Sequence, residues 1–540
     1  MTAALTAKPA GADDVNFAEV EEMKLSATNV LSRAAVSIIR LALTGTTLLL
    51  GACAVGPDYQ RPDIDVGQSY KELDSGRLGE QVVGISTAQV KGWVPAQPGD
   101  AALRGDWWRM FGDPALSALM STLQDANLNI IQAEAQYRQA QALLQSARSG
   151  FFPTVGVSAS GTRSGSGRSA STTTGVGGDN PSNQFSVSGD VSWEPDLWGR
   201  VRRSVESSGA SLQASAADVA TTRLSMQSTL AQTYFQLRIM DAERQLLQQT
   251  VDAYQRSLTM TQNRYDAGIS AQADVEISRT QLENGRTQLL ALDWQRAQLE
   301  HAIAVLLGQA PASFALAPAD MVAEVPVIPV GLPSQLLQRR PDVAAAERRT
   351  AEANARIGIA QAAWFPDLTL SAQGGYRSSQ WAQWLSAPAS FWSLGPALAL
   401  TIFDGGAREA QLREARAAYD AQVASYRQTV LTALREVEDY LVQLHVLGQE
   451  QITQGRALAS ARESLRLTRN QYEAGLIDYL SVVQVETTAL STERSALSLV
   501  SDRLLASVQL IAALGGGWDA VRLDGLQDTG QADEAAPGEG

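Results

Sequence analysis

The 540-residue chain contains one cysteine, Cys53, and two histidines, His301 and His445. A lone thiol forms no internal disulfide, and imidazoles this sparse exclude a cysteine/histidine cluster of zinc-type spacing. Positive charge is also scarce: 43 Lys and Arg against 57 Asp and Glu leave a net charge of -14, which disfavours nucleic acid as a partner. Beyond a short N-terminal stretch, no apolar run reaches the ~20 residues that a membrane helix needs. There is no G-x-S-x-G or phosphate-loop motif, and the carboxylates are scattered along the chain rather than paired. No catalytic site, metal or cofactor is therefore expected, and the chain does not read as an enzyme. Proline is absent between Asp196 and Ala310 and again between Ala397 and Ala536. Since an interior proline costs a helix about 3 kcal/mol, these gaps predict long helices.

Apolar spacing agrees. Val251, Tyr254, Leu258, Thr261 and Tyr265 step by three and four, as do Leu458, Ala461, Leu465, Thr468 and Tyr472, and Val430, Leu434, Val437, Leu441 and Leu444. Such narrow seams suit helix-on-helix packing, as in a coiled coil. Two of these seams correspond at an offset of 207 residues, and "NRYDAGIS" (263–270) matches "NQYEAGLI" (470–477) at the same offset. The chain is a duplication of one long unit. Gly268 and Gly475 have the glycine position of a left-handed helix end, so each reads as the tip of a helical hairpin. From Gly199 to Gly268, and from Gly406 to Gly475, 68 residues intervene, enough for a helix roughly 100 Å long. The returning segments to Gly308 and Gly515 are shorter, with 39 residues each. Further helix is expected over about 114–149 and 333–363, placed so that two shorter helices end to end match one long neighbour.

Between the helices the period changes to two. Strands are expected at about 154–161, 184–193, 367–376 and 392–403, with Trp193, Trp364, Trp392 and Phe403 near their ends. Segments of about ten alternating residues cross a bilayer when tilted, and a girdle of aromatic residues marks its interfaces. Long polar loops, "TRSGSGRSASTTTGVGGDNPSN" and "RSSQWAQWLSAPAS", join each strand pair on one side only. Four strands leave open edges that lipid cannot satisfy, so several copies must close the sheet.

The N-terminus reads as an export signal over residues 1–52. Lys24, Arg33 and Arg40 precede the apolar stretch Leu41–Leu50, then Gly51, Ala52 and Cys53. Met23 begins a more ordinary signal than Met1, which makes the first 22 residues an upstream extension. "LGAC" resembles the lipoprotein box, with Cys53 as the acylated first residue of the mature chain and Ala54 favouring the outer membrane. The covalent lipid on Cys53 is the only added group expected.

Taken in order, "CAVGPDYQRP", "WWRMFGDPALSALM", "WEPDLWGR", "RRPDVAAAE", "AAWFPDLTL", "FDGGAR" and the two YxAG turns resemble the TolC/OprM-like outer membrane efflux proteins, lipoprotein subclass. The resemblance covers roughly residues 53–518. It implies a mainly α fold with a transmembrane β portion: duplicated long hairpins plus four strands per protomer, three protomers forming a 12-stranded barrel on an α-helical tunnel. It further implies a passive duct of a tripartite pump that exports small molecules such as drugs. Its partners would be two further copies, outer membrane lipid, a periplasmic adaptor and an inner membrane pump. The segments expected are 53–112 (lipidated segment and part of a mixed middle domain), 113–310 (first repeat), 311–332 (linker), 333–516 (second repeat) and 517–540 (acidic disordered tail). A lipid-anchored periplasmic adaptor with coiled-coil hairpins is the competing reading; it leaves the strands and the whole-chain duplication unexplained.

For the closing tip the resemblance points to the helices around the YxAG turns. Threefold symmetry would turn a lumen-facing acid into a ring of like charges. Asp274 and Asp478 are the acids expected there, with Tyr265, Tyr472 and Gln484 as further gate candidates. Related proteins often carry aspartate on the helix after the second turn, where this chain has Ser481 and Gln484. The alternative for both acids is that they cap helix starts. For Tyr265 and Tyr472 it is core packing, and for Arg264 and Arg469 solvated charge.

Overall fold

The computed structural model describes residues 54–67, 69–74, 105–165, 181–319, 325–326, 328 and 336–518. Residues 1–52, expected to be an export signal, Cys53, most of the first polar loop, much of the 311–332 segment and the residues from 519 lie outside the described residues.

Two compact units emerge, each assembled from separated stretches of chain. The smaller contains four strands: β1 (Thr154–Ser164), β2 (Ser182–Trp193), β3 (Asp367–Ser378) and β4 (Ser390–Ala399). They pair antiparallel in the order β1-β2-β3-β4. The fourth begins two residues earlier than its sequence pattern suggests and ends at Ala399, four short of Phe403. Its alternation runs on through Thr401 and Phe403, but the chain turns toward a tight Asp404 cap.

Register sorts the side chains into two faces. Val155 and Val157 on β1, Val187 and Val191 on β2, Leu368, Leu370 and Tyr376 on β3, and Trp392, Leu394 and Leu398 on β4 fall on one side. The other side carries Ser158, Ser160, Ser164, Ser186, Ser188, Asp190, Ser371 and Gln373. Its hydroxyls pair across strands, Ser158 with Ser188 at 3.1 Å and Ser160 with Ser186 at 2.8 Å. Val157 is 80% and Trp392 82% exposed. A soluble sheet would bury that apolar face in a core; among the described residues no helix or second sheet packs over Val155, Val157, Trp392 or Leu394, which stay exposed.

The larger unit is helical. The short helices are α1 (Pro114–Ala126), α2 (Leu128–Ser149) and α5 (Pro341–Ala362). The long ones are α3 (Arg200–Asp266), which starts in the smaller unit, and α6 (Ala407–Glu473), with 67 residues each. Their returning partners α4 (Gln272–Leu306) and α7 (Tyr479–Ala513) have 35 each. The two long hairpins thus match in length, helix for helix. The helix expected over 114–149 is present as two helices, parted at Asn127, which caps α2 through the amides of Asn129 and Ile130 and donates to the Leu306 carbonyl at 2.7 Å. Among the described residues a separate helical turn, Leu336–Arg339, precedes α5.

These breaks are where shorter helices meet end to end. At the end of α4, Gly308 has φ +67° and a Cβ there would lie 2.4 Å from the Ala126 carbonyl oxygen. At the end of α7, Gly515 has φ +95°, and its Cβ would lie 2.0 Å from that of Arg339. Both positions demand glycine twice over, for conformation and for space.

Around these junctions the core gathers Trp107, Phe111, Leu116, Leu230, Phe235, Leu441, Leu504 and Ile511. Helix α7 is apolar and long enough to cross a membrane by length and composition, contrary to the sequence expectation. Its apolar side is occupied by this core and by α6, whose Val437 and Leu441 are fully buried. Within the core, Asp113 caps α1 and accepts from the Tyr234 hydroxyl at 2.6 Å. Burial first, and the Asp113 carboxylate second, push the Tyr234 phenol up to about 12, so it remains a donor. Tyr234 accepts from Arg238, which pairs with Asp241; Asp241 also accepts from Arg296. Arg238 and Arg296 donate to the carbonyls of Ala317 and Leu316, fixing the segment after α4.

Candidate functional site

The hairpin tips are built by the repeated Tyr-acid-Ala-Gly. At Gly268 (φ +71°) the amides of Ile269 and Gly268 return to the carbonyls of Arg264 and Tyr265. At Gly475 (φ +76°) Leu476 and Gly475 do the same to Gln471 and Tyr472. This double bond pattern ends each long helix as the sequence leads one to expect.

Both acids stand at helix starts, in exchanged positions. Asp478 is the N-cap of α7 and accepts from the amide and the hydroxyl of Ser481. In the first repeat the cap position is Ala271, and Asp274, three residues on, reaches back to the Ala271 amide and the Ser270 hydroxyl. The Ser481 hydroxyl, then its amide, hold the Asp478 carboxyl below the usual carboxylate range. The cap is therefore intact at neutral pH and is lost only as pH falls through that depressed value. Gln484 is exposed on α7.

The two tyrosines separate. Tyr472 is 5% exposed and lies on the seam, whereas Tyr265 is 40% exposed and is not core, because the seam's last step falls where α3 ends. The two arginines are not merely solvated. Arg264 donates to the Tyr472 carbonyl and sits 4.9 Å over its ring. Arg469 donates twice to Glu486 Oε1, at 3.1 and 2.7 Å. Glu486 is almost wholly buried, and its Oε2 has no hydrogen-bond partner among the described residues; the same is true of the Tyr472 hydroxyl and Arg264 Nε. Around them Tyr479 rests against Tyr472, with ring centroids 5.5 Å apart, and bonds to Ser257 of the first hairpin. Burial raises the Tyr479 phenol above its ordinary value.

Sequence reasoning missed the Arg469–Glu486 pair. The signal was a difference between the repeats: the positions 207 residues earlier are Gln262 and Arg279. Those bond to Asp266 and Glu276 on their own helices, so the first hairpin lacks this tie. Among the described residues no group of His, Cys, Asp and Glu has the arrangement of a metal site.

The profile of the family described as outer membrane efflux protein matches residues 119–309 and 332–516, both repeats. The chain belongs to the outer membrane efflux protein family. The probable efflux pump outer membrane protein TtgC of Pseudomonas putida is 31% identical over 92% of this chain and 98% of its own length. The cation efflux system protein CusC of Escherichia coli is 28% identical over 89% and 97%. Among solved structures, the outer-membrane channel OprN superposes with a TM-score of 0.76 at 30% identity, covering 86% of this chain and all of that one. The open state of the MtrE channel of Neisseria gonorrhoeae gives 0.73 at 26% identity, covering 87% and 99%. This efflux protein is accordingly an outer membrane channel component, and the four-stranded sheet and long duplicated hairpins are its family's fold. The adaptor alternative finds no support: the relatives are channels, and the strands that an adaptor left unexplained form one sheet.

Proposed function

We propose that three copies of this efflux protein assemble into a passive duct, their sheets giving a twelve-stranded barrel in the outer membrane and their long helices a tunnel in the periplasm. The observation that carries this reading is the sheet: one apolar face, one serine-lined face, and edges at β1 and β4 that no described strand pairs with. In lipid every backbone group needs a partner, so those edges must meet another copy. The apolar face then meets acyl chains and the hydroxyl face lines a wet lumen. Cys53 carries the lipid that holds each protomer at the membrane before the barrel closes. A periplasmic adaptor and an inner membrane pump deliver the cargo. Relatives of similar identity carry names for efflux of toluene, antibiotics and cations. That breadth is what a duct unselective in itself would give, with choice of substrate made upstream.

Gating belongs to the tips, and the second hairpin carries the tie. Purified protein is expected to have the mass of a trimer in detergent and to form channels of small or flickering conductance in planar bilayers. Glu486→Ala removes the anchor of Arg469, which is 43% exposed and rehydrates, so the tie is worth only about 1–2 kcal/mol per protomer. That suffices to shift an opening equilibrium about tenfold and should lengthen open dwell times visibly. Arg279→Ala, at the equivalent place in the first hairpin, breaks only an exposed pair with Glu276 and should leave the records unchanged. A monomer without conductance would overturn the duct, and equal effects of the two substitutions would overturn the tie.

A further inference from the structure

The hydroxyl face of the sheet is not uniform in charge along its strands. Its two carboxylates stand away from the polar loops, Asp190 opposite Gly156 and Gln373, and Asp367 opposite Ala399 at the end of β4. Among the described residues the one cation on this face, Arg377, lies at the loop end, opposite Ser186. Phe391, opposite Gly375, shares that face, and the Arg377 guanidinium carbon sits 4.7 Å over its ring. Arg377 is exposed, and among the described residues no carboxylate pairs with it. Four residues of β2 separate Ser186 from Asp190, so base and acid are about 13 Å apart along the strand. Arg163 ends β1 at the same height, but on the face of Val155 and Val157.

We propose that Arg377, held over Phe391, forms with its two symmetry copies a cationic collar inside the outer mouth of the duct, which draws small oxyanions such as carboxylates and sulfonates to the exit. The inference rests on the barrel reading, which puts the hydroxyl face on the lumen and the polar loops outside. A guanidinium stacked on a ring keeps its edge of N–H donors free, and that edge fits an anion with two oxygens. Stacking also holds the charge beside the wall at a fixed height. Twelve strands about 4.8 Å apart and tilted about 40° close into a ring roughly 12 Å in radius, so a solute leaving the duct passes within about a Debye length, ~10 Å at 0.1 M salt, of each guanidinium. The choice of cargo by a pump upstream is untouched by this; the collar acts on what has already arrived at the mouth.

The test reads the potential at the collar through a thiol placed beside it in the full-length protein, in the outer membrane of intact cells. Ser393→Cys, on the hydroxyl face two residues along β4 from Phe391, is the reporter. Its rates of reaction with an anionic and a cationic methanethiosulfonate are compared, and the parent protein, whose single cysteine is Cys53, sets the background. Adding Arg377→Gln should lower the anionic-to-cationic rate ratio at least about threefold at 0.1 M salt, and the difference should largely vanish at 1 M, where the Debye length is ~3 Å. Arg377→Lys should keep most of the ratio, and Arg163→Gln, at the same height on the other face, should leave it unchanged. A ratio indifferent to Arg377→Gln, or lowered as much by Arg163→Gln, overturns the collar, and so does a reporter silent to both reagents, which means a covered mouth. Leu394→Cys, the next residue along β4 and on the apolar face, reads the barrel separately, since lipid should keep both charged reagents from it. If it reacts as fast as Ser393→Cys, it is the barrel reading that has failed; if it is silent and Arg377→Gln has no effect, only the collar has.

Discussion

Asp241→Ala is expected to destabilise the helical unit by about 3–5 kcal/mol, the range for removing one partner from a buried ion pair. The size follows from what is left behind. Arg238 and Asp241 have side chains only 6% and 3% exposed, and Asp241 also takes the Arg296 guanidinium at 2.6 Å. Without the carboxylate, Arg238 keeps a phenol and a carbonyl as partners but, among the described residues, no paired counter-charge. Arg296 still has Glu300, so the loss falls mainly on Arg238 and on the amide of Ala319, which also bonds to Asp241. Asp293→Ala is the control, since its pair with Arg244 is about half exposed on both sides and is worth at most about 1 kcal/mol. Thermal unfolding of the two purified variants in detergent should separate them clearly; equal melting temperatures would show that the buried network contributes no net stability.

Gly515→Ala should cost nearly as much, by steric exclusion rather than charge. A left-handed backbone costs a residue with a Cβ about 1–2 kcal/mol. The methyl would also lie 2.0 Å from one backbone oxygen and 2.7 Å from its carbon, neither on a side chain that can swing away. Overpacking of this kind adds about 1–3 kcal/mol, for a total of roughly 3–5. Gly475→Ala isolates the first term: its φ is also positive, but nothing lies within 4 Å of the added methyl. The expected order of stability, measured by the same melting experiment, is wild type, then Gly475→Ala, then Gly515→Ala. If the two variants melt together, the junction between α7 and the turn before α5 is looser than its geometry indicates.

Much of the architecture was legible because it is written in spacing. Proline-free intervals and three-four steps locate α3, α4, α6 and α7, and the positive-φ glycines stand at the tips the repeat marks. Asn127 was not legible as a break, since the surrounding residues keep helical character and the break depends on a carbonyl at Leu306, far along the chain. The end of β4 was misread because alternation continues past the last paired residue. At the tip, periodicity placed Tyr472 correctly and Tyr265 wrongly, as a seam gives no sign of where its helix stops. The pairing of Arg469 with Glu486 joins two helices across a turn, and no single-helix pattern announces it. Only the comparison of one repeat with the other sets those two residues apart.

The equal lengths of the paired helices, 67 and 67, 35 and 35, have a consequence for how such a chain can change over generations. Inserting one residue in α6 would turn everything beyond it by about 100° and advance it by about 1.5 Å. The Arg469 side chain would then point away from Glu486, and the tip of one hairpin would outrun the other. A single-residue insertion or deletion is therefore tolerated only with a matching change in α7, and its effect is felt in the hairpin beside it. Substitutions can drift one at a time along these helices, but length can change only in concert.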